Sequence, residues 1–161
     1  MITLVRVDNR LIHGQVVEAW LPHLKVSRVV VADDEAASSP LIRAAMALAV
    51  QSAIEVQILP LSQVDFAALS KDGVRTLVLL RDVASVPFAY AHGLSLGELN
   101  LGNVHFGTGR RQVSPSVFLA EAELRTLQQL AEQGVRVEAR AVPAEKPVEL
   151  PDLSERWVKA G

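Results

Sequence analysis

Asp8, Arg10, His13 and Gly14 cluster directly after the apolar run Ile2, Thr3, Leu4, Val5, and none of the four fills a hydrophobic interior well. Together they have the means to handle a phosphoryl group. A neutral imidazole at His13 is a nucleophile at physiological pH, and a phosphorylated ring nitrogen is a phosphoramidate that readily hands its phosphoryl group on. Arg10 adds a planar, doubly hydrogen-bonded contact to phosphoryl oxygens. Gly14 permits close backbone approach to an anion, and free amides at the start of a following helix favour negative charge. Asp8 has two roles open to it: orienting Arg10 or a loop amide, or fixing the imidazole tautomer. Asn9 and Gln15 belong to the same loop. A plainer reading stands beside this one, because a His before a Gly is common in turns and an Asp-x-Arg pair is often a local salt bridge.

Chemistry at this loop requires elements that hold it in a crevice. Short β-branched runs at 2–7, 28–32, 55–59, 75–80, 99–106 and 135–142 alternate with helical patterns at 15–24, 40–51, 62–70, 83–90 and 121–133. Runs such as VVVA and TLVLL are apolar on consecutive residues, as expected of strands covered on both faces. Pro40 after Ser38 and Ser39 marks a helix start, and Gly134 marks a helix end. Strand and helix alternate, so the fold class is α/β: a doubly wound, mostly parallel sheet with helices on both faces. The stretch 101–119 breaks the alternation, and GTGRRQ is expected to turn an antiparallel hairpin or edge there. Residues 1–150 are read as one domain. Residues 151–161 are read as a C-terminal tail, the end of a proline-rich, charged segment from Pro143 that is extended and tied down by Trp157.

In such a sheet ligands bind beyond the carboxyl ends of the strands, where the strand order reverses. The loop after strand one is therefore the expected site. Arg81, after strand four, is expected across the switch point from strand two and near His13. Asp33 and Asp34 follow strand two, where helix capping is the stronger reading. Arg110 and Arg111 form a candidate docking patch in the hairpin with His105. His23 and His92 lack metal-ligand spacing, and no metal site is expected.

The segment RVDNRLIHGQV resembles the active-site segment of the IIB components of the mannose/sorbose family in the bacterial phosphoenolpyruvate-dependent sugar phosphotransferase system. VVVADDEAASSP is similar to that family's second strand and following loop, and NLGNVHFGTGRRQVSPSVFL with the helix after it to its hairpin and last long helix. The resemblance covers the chain to about Leu150. It implies that His13 is the phosphorylated residue, accepting a phosphoryl group from a phosphohistidine on a IIA protein or domain. The group then passes to a sugar carried by the membrane IIC and IID components, with Arg10 binding its oxygens. No nucleotide, metal or other cofactor is required, in keeping with the absence of a GxxxxGK[ST] motif. A regulatory phosphocarrier that signals its phosphorylation state without sugar transfer would present the same loop. The phosphoglycerate mutase-like phosphatases fit poorly, because Ile12 stands where their Arg-His-Gly triplet needs arginine.

Bulk properties narrow the field further. The 161 residues are 50% hydrophobic and 21% charged, enough apolar material for one sizeable core. A net charge of -2 gives no general attraction for nucleic acid or anionic lipid. With no cysteine, thiolate metal sites, iron–sulfur clusters and cysteine nucleophiles are excluded. No apolar run approaches the roughly 18 residues of a spanning helix, so the expectation is a cytoplasmic protein without direct membrane insertion. A homo-oligomer is left open.

Overall fold

The computed structural model describes residues 1–161. Seven strands form the main sheet: β1 (Ile2–Asp8), β2 (Arg28–Ala32), β3 (Glu55–Leu59), β4 (Thr76–Leu80), β5 (Glu98–Asn103), β8 (Arg136–Ala139) and β9 (Val148–Glu149). Their order is β3-β2-β4-β1-β5-β8-β9, parallel throughout except for the short antiparallel β9 at one edge. Adjacent strands β1 and β4 send their following connections in opposite directions, to β2 and to β5, so the strand order reverses at their carboxyl ends.

Strand alternation divides the interior in two. Val29 and Val31 with Leu77 and Leu79 face one side of the sheet, where Leu11, Val16 and Trp20 join them. Val5, Val7, Val30, Ala32, Val78 and Leu80 face the other, under Phe66, Val86, Leu127 and Leu153. Helix α1 is a π-helical stretch Val16–Trp20 continuing into the α-helical turn Leu21–Leu24, and it shares its side of the sheet with α2 (Asp34–Ser38) and α3 (Pro40–Ala49). The opposite side carries α4 (Phe66–Lys71), α5 (Ser85–Ala91), α6 (Glu121–Glu132) and α7 (Leu150–Lys159). Helices on both faces of a mostly parallel sheet match the fold class read from the alternation of strand and helix. No helix is long and apolar enough to cross a membrane.

Three local expectations need correction. The hairpin exists as a separate two-stranded sheet, β6 (Arg111–Ser114) and β7 (Val117–Leu119), joined to the chain after β5 by a Val104–Val117 bridge. The turn that closes it is at Pro115 and Ser116; GTGRRQ turns the chain earlier, with the Arg110 amide on the Gly107 carbonyl at 3.0 Å, and leads into β6. The segment 62–70 is not one helix: a 3-10 turn at Leu61–Gln63 ends before Val64, and the α-helix begins at Phe66, where the Asp65 carboxylate accepts from the Ala68 amide at 3.0 Å and caps it. The tail is no extended strap: residues 148–149 add β9, and α7 follows. Pro151 lies in the first turn of α7, where its missing N–H costs no helical bond, and Leu150, Leu153 and Trp157 form one apolar stripe. Trp157 does tie the segment down, donating from Nε1 to the Leu119 carbonyl at 2.8 Å.

Candidate functional site

β1 delivers two charged side chains into the interior. Residues Leu4, Arg6 and Asp8 lie on the same face of the strand, and Arg6 and Asp8 are both fully buried. A buried charge must be paired and hydrogen-bonded. Arg6 donates from Nη2 and Nε to Asp8 Oδ2 at 3.1 and 3.3 Å, and from Nη1 to Asn100 Oδ1 at 2.6 Å. Its remaining bonds go to the carbonyls of Arg140 and Ala141, both at 3.1 Å, while the Trp20 ring lies 5.0 Å from its guanidinium carbon.

Beyond Asp8 the chain turns sharply. Leu11 donates its amide to the Asp8 carbonyl at 2.9 Å and adopts φ 55°, a left-handed conformation unusual for leucine and held by complete burial of its side chain. The turn points His13 back over the end of β1, where its Nε2 lies 2.7 Å from Asp8 Oδ2. His13 keeps 14% of its side chain exposed and Asp8 none. Asn103 donates to the same carboxylate oxygen at 2.9 Å, and the Arg10 amide donates to Oδ1 at 2.9 Å. Burial would raise the Asp8 pKa, but the hydrogen bonds from His13, Asn103 and the Arg10 amide and the charge of Arg6 outweigh it and hold the carboxyl below its ordinary value. Asp8 is thus in contact with a loop amide, that of Arg10, and with the imidazole, while the guanidinium it binds belongs to Arg6.

The exposed Arg10 side chain reaches Gln15 Oε1 at 3.3 Å, which Asn103 Nδ2 also approaches at 3.4 Å. The rest of its guanidinium fork makes no other hydrogen bond. The amides of Gly14 and Gln15, at the start of α1, bond to no backbone carbonyl, and the Val17 amide closes the first turn on the His13 carbonyl at 3.0 Å. A Cβ on Gly14 would meet nothing within 4 Å, so packing inside the chain does not demand glycine there. Its effect is an unobstructed backbone at the mouth of the site.

The outlying candidates have structural partners. Arg81 forms a two-pronged bond with Asp33 at 2.9 and 2.7 Å and donates to the Asn9 carbonyl at 3.3 Å. It braces the loop beside Arg10 without touching His13. β4 is hydrogen-bonded directly to both β1 and β2, so Arg81 lies between those strands and not across the switch point from β2. Asp33 also accepts from the Ala36 amide at 2.9 Å and caps α2, as expected, and Asp34 receives the Leu61 amide at 2.8 Å. Arg110 is committed to Glu123 and the His105 carbonyl, and Arg111 stacks 3.8 Å from the Trp157 ring centre while donating to the Trp157 carbonyl. Both arginines thus have partners within the chain, on α6 and α7, that fasten the hairpin to those helices. No group of three or more His, Asp and Glu side chains is placed to hold a metal ion.

Arg6 opens the segment RVDNRLIHGQV but carried no role in the sequence reading, and Asn100 and Asn103 lie outside that segment. A signal did exist: an arginine at every-second-residue spacing between Leu4 and Asp8, in a strand covered on both faces, needs an acceptor on its own side, and Asp8 is the nearest one. An open groove of about 480 Å³, lined in part by Gln128, Val135, Arg136, Glu149 and Ser154, belongs to α6, α7 and β8 and includes none of the His13 loop. At the His13 loop, Arg10 and Gly14 are exposed and His13 is partly so.

The family model described as the sorbose-subfamily IIB component of the phosphotransferase system matches residues 2–159. The chain is 29% identical over 150 residues to the N-acetylgalactosamine-specific phosphotransferase enzyme IIB component 2 of Escherichia coli K12, covering 92% of this chain and 96% of that protein. It is 26% identical over 160 residues to the mannose-specific EIIAB component of the same strain, covering 95% of this chain but 48% of that longer protein. Among solved structures, manxB from Thermoanaerobacter tengcongensis superposes with a TM-score of 0.86 at 27% identity, covering 98% of this chain and 96% of the other.

Proposed function

The chain belongs to the sorbose-subfamily IIB components, phosphotransferases of the sugar phosphotransferase system that pass a phosphoryl group on to sugar, and from that membership we propose that His13 is its phosphoryl carrier. The observation that carries this reading is the 2.7 Å contact between His13 Nε2 and Asp8 Oδ2 at an accessible strand-to-helix turn. An ionised carboxylate accepts from a protonated Nε2, so the lone pair of the neutral ring is on Nδ1. Nδ1 is the nucleophile.

In the first transfer, the Nδ1 lone pair attacks the phosphorus of a donor phosphohistidine on a IIA protein or domain. A phosphorus–nitrogen bond forms on His13 as the donor's breaks, and the donor imidazole leaves with the bonding electrons. The ring proton stays on Nε2, where Asp8 compensates the positive charge that develops. Arg10 contacts the equatorial phosphoryl oxygens, and the free amides of Gly14 and Gln15 face the same charge. In the second transfer a sugar hydroxyl attacks phosphorus and an oxygen–phosphorus bond forms as the phosphorus–nitrogen bond breaks, its electron pair returning to Nδ1 and the hydroxyl proton passing to solvent water. The IIA donor, the membrane IIC and IID components that present the sugar, and a cytoplasmic location complete the reading. The mannose-specific EIIAB relative supports the IIA partnership.

Incubation with phosphoenolpyruvate, the general phosphotransferase proteins and a matching IIA is expected to give acid-labile, base-stable label on His13, read by mass spectrometry. Label that persists in His13→Ala overturns the assignment. Arg10→Ala is expected to slow transfer about tenfold or more while stability changes by no more than about 0.5 kcal/mol, as for an exposed side chain.

A further inference from the structure

We propose that Arg6, seated in the space left by the missing side chain of Gly102, is a positioning residue that fixes the reactive tautomer of His13 through Asp8. The inference rests on His13 being the phosphoryl carrier, and goes beyond it to residues outside the loop. Arg6 does not touch the imidazole. It meets Asp8 Oδ2 with both Nε and Nη2, and Asp8 in turn meets His13 Nε2 through that same oxygen.

Gly102 makes this arrangement sterically possible. A Cβ built on Gly102 would lie 2.1 Å from the Arg6 guanidinium carbon and 2.2 Å from Nη2. The pairing of β1 with β5 shifts at this point, from Val7 opposite Leu101 to Asp8 opposite Asn103, so Gly102 is the extra residue of a bulge. The bulge leaves room for the guanidinium and brings the Asn103 amide to Asp8. Arg6 has no freedom to move aside, because Asn100 and the carbonyls of Arg140 and Ala141 hold its other donors.

The physical consequence lies in the proton's position. Which imidazole nitrogen carries the proton is set by the hydrogen bond the other atoms offer it. A carboxylate kept ionised and oriented by Arg6 accepts from Nε2–H alone, which exposes the Nδ1 lone pair. Without the guanidinium, Asp8 loses two donors and its orientation, and the ring is free to populate the Nδ1–H tautomer, whose outward nitrogen has no lone pair to attack phosphorus.

Two variants test this independently. Arg6→Met removes the charge, and Gly102→Ala keeps the arginine but pushes the guanidinium off Asp8 with a single methyl group. Nitrogen-15 spectra of the histidine ring give the tautomer ratio, thermal unfolding reports the fold, and potassium phosphoramidate serves as a partner-independent phosphoryl donor. Wild type is expected to show the Nε2–H tautomer. Gly102→Ala, folded at the assay temperature, is expected to lose that preference and to be phosphorylated about tenfold or more slowly, the scale of losing an outer-shell histidine partner. Arg6→Met, if folded, should behave alike. A folded Gly102→Ala protein with the wild-type tautomer ratio and rate overturns the inference while leaving His13 as carrier. Wild-type protein labelled elsewhere than His13 overturns the underlying reading instead.

Discussion

At the residue scale, Asp8 joins the buried interior of the sheet to the His13 loop. Its carboxylate ends a buried strand, pairs with Arg6 and accepts from His13, Asn103 and the Arg10 amide. Because its folded pKa lies below its ordinary 3.8, the stability it contributes is complete above that value and is lost as pH falls through the lower folded pKa. Asp8→Asn should therefore cost about 3 kcal/mol at neutral pH, the scale of breaking a buried pair and stranding Arg6. The gap between wild type and variant, measured by chemical denaturation, should narrow steadily as the buffer is taken below pH ~4. A gap independent of pH would contradict an ionised Asp8. Of this cluster, Asp8, Arg10 and His13 were legible in RVDNRLIHGQV because they are close in sequence. Asn100 and Asn103 were not, since β5 meets β1 only through the parallel sheet and lies more than ninety residues away.

Elements set how rigidly that cluster is presented. β2, β4 and the loop after β1 are coupled by one chain of contacts: Asp33 caps α2, binds both prongs of Arg81, and Arg81 holds the Asn9 carbonyl next to Arg10. Asp33→Ala is expected to destabilise the protein by about 1–2 kcal/mol through the lost cap, and Asp33→Asn to recover most of it, because asparagine caps nearly as well. Urea unfolding of the two variants checks the order, and equal losses would argue against capping as the main contribution. Strands β2, β3 and β4 were readable almost to the residue, since each is a short, largely apolar run between breakers. The start of α4 was not, because the Asp65 side chain caps it there, and neither was the hairpin turn, because the turn at Thr108 and Gly109 leads into β6 without pairing the segments on either side of it.

For the whole molecule, α7 has the role of a clasp. It lies beside β6, β8 and β9, with Leu153 fully buried and Trp157 bonded to β7 and stacked by Arg111. The hairpin and the carboxyl end of the chain therefore stabilise each other. Trp157→Ala should cost about 2–3 kcal/mol, somewhat under a full core truncation because the ring is half-buried. It should leave the tautomer of His13 unchanged, since α7 lies on the opposite face of the sheet from Arg6 and Trp20. Calorimetry and ring nitrogen spectra on one sample test both halves.

Local order along the chain was enough to specify the α/β class, the strands of the parallel sheet and the imidazole loop, because periodicity and turn residues act over a few positions. Tertiary structure alone decided what that loop rests on. The Arg6–Asp8 pair, the Gly102 bulge and the asparagines of β5 converge only when β1 and β5 lie side by side, and burial makes their hydrogen bonds obligatory. The same physics turned the expected tail into α7: a helix end with one apolar stripe takes its place from the surface that receives it.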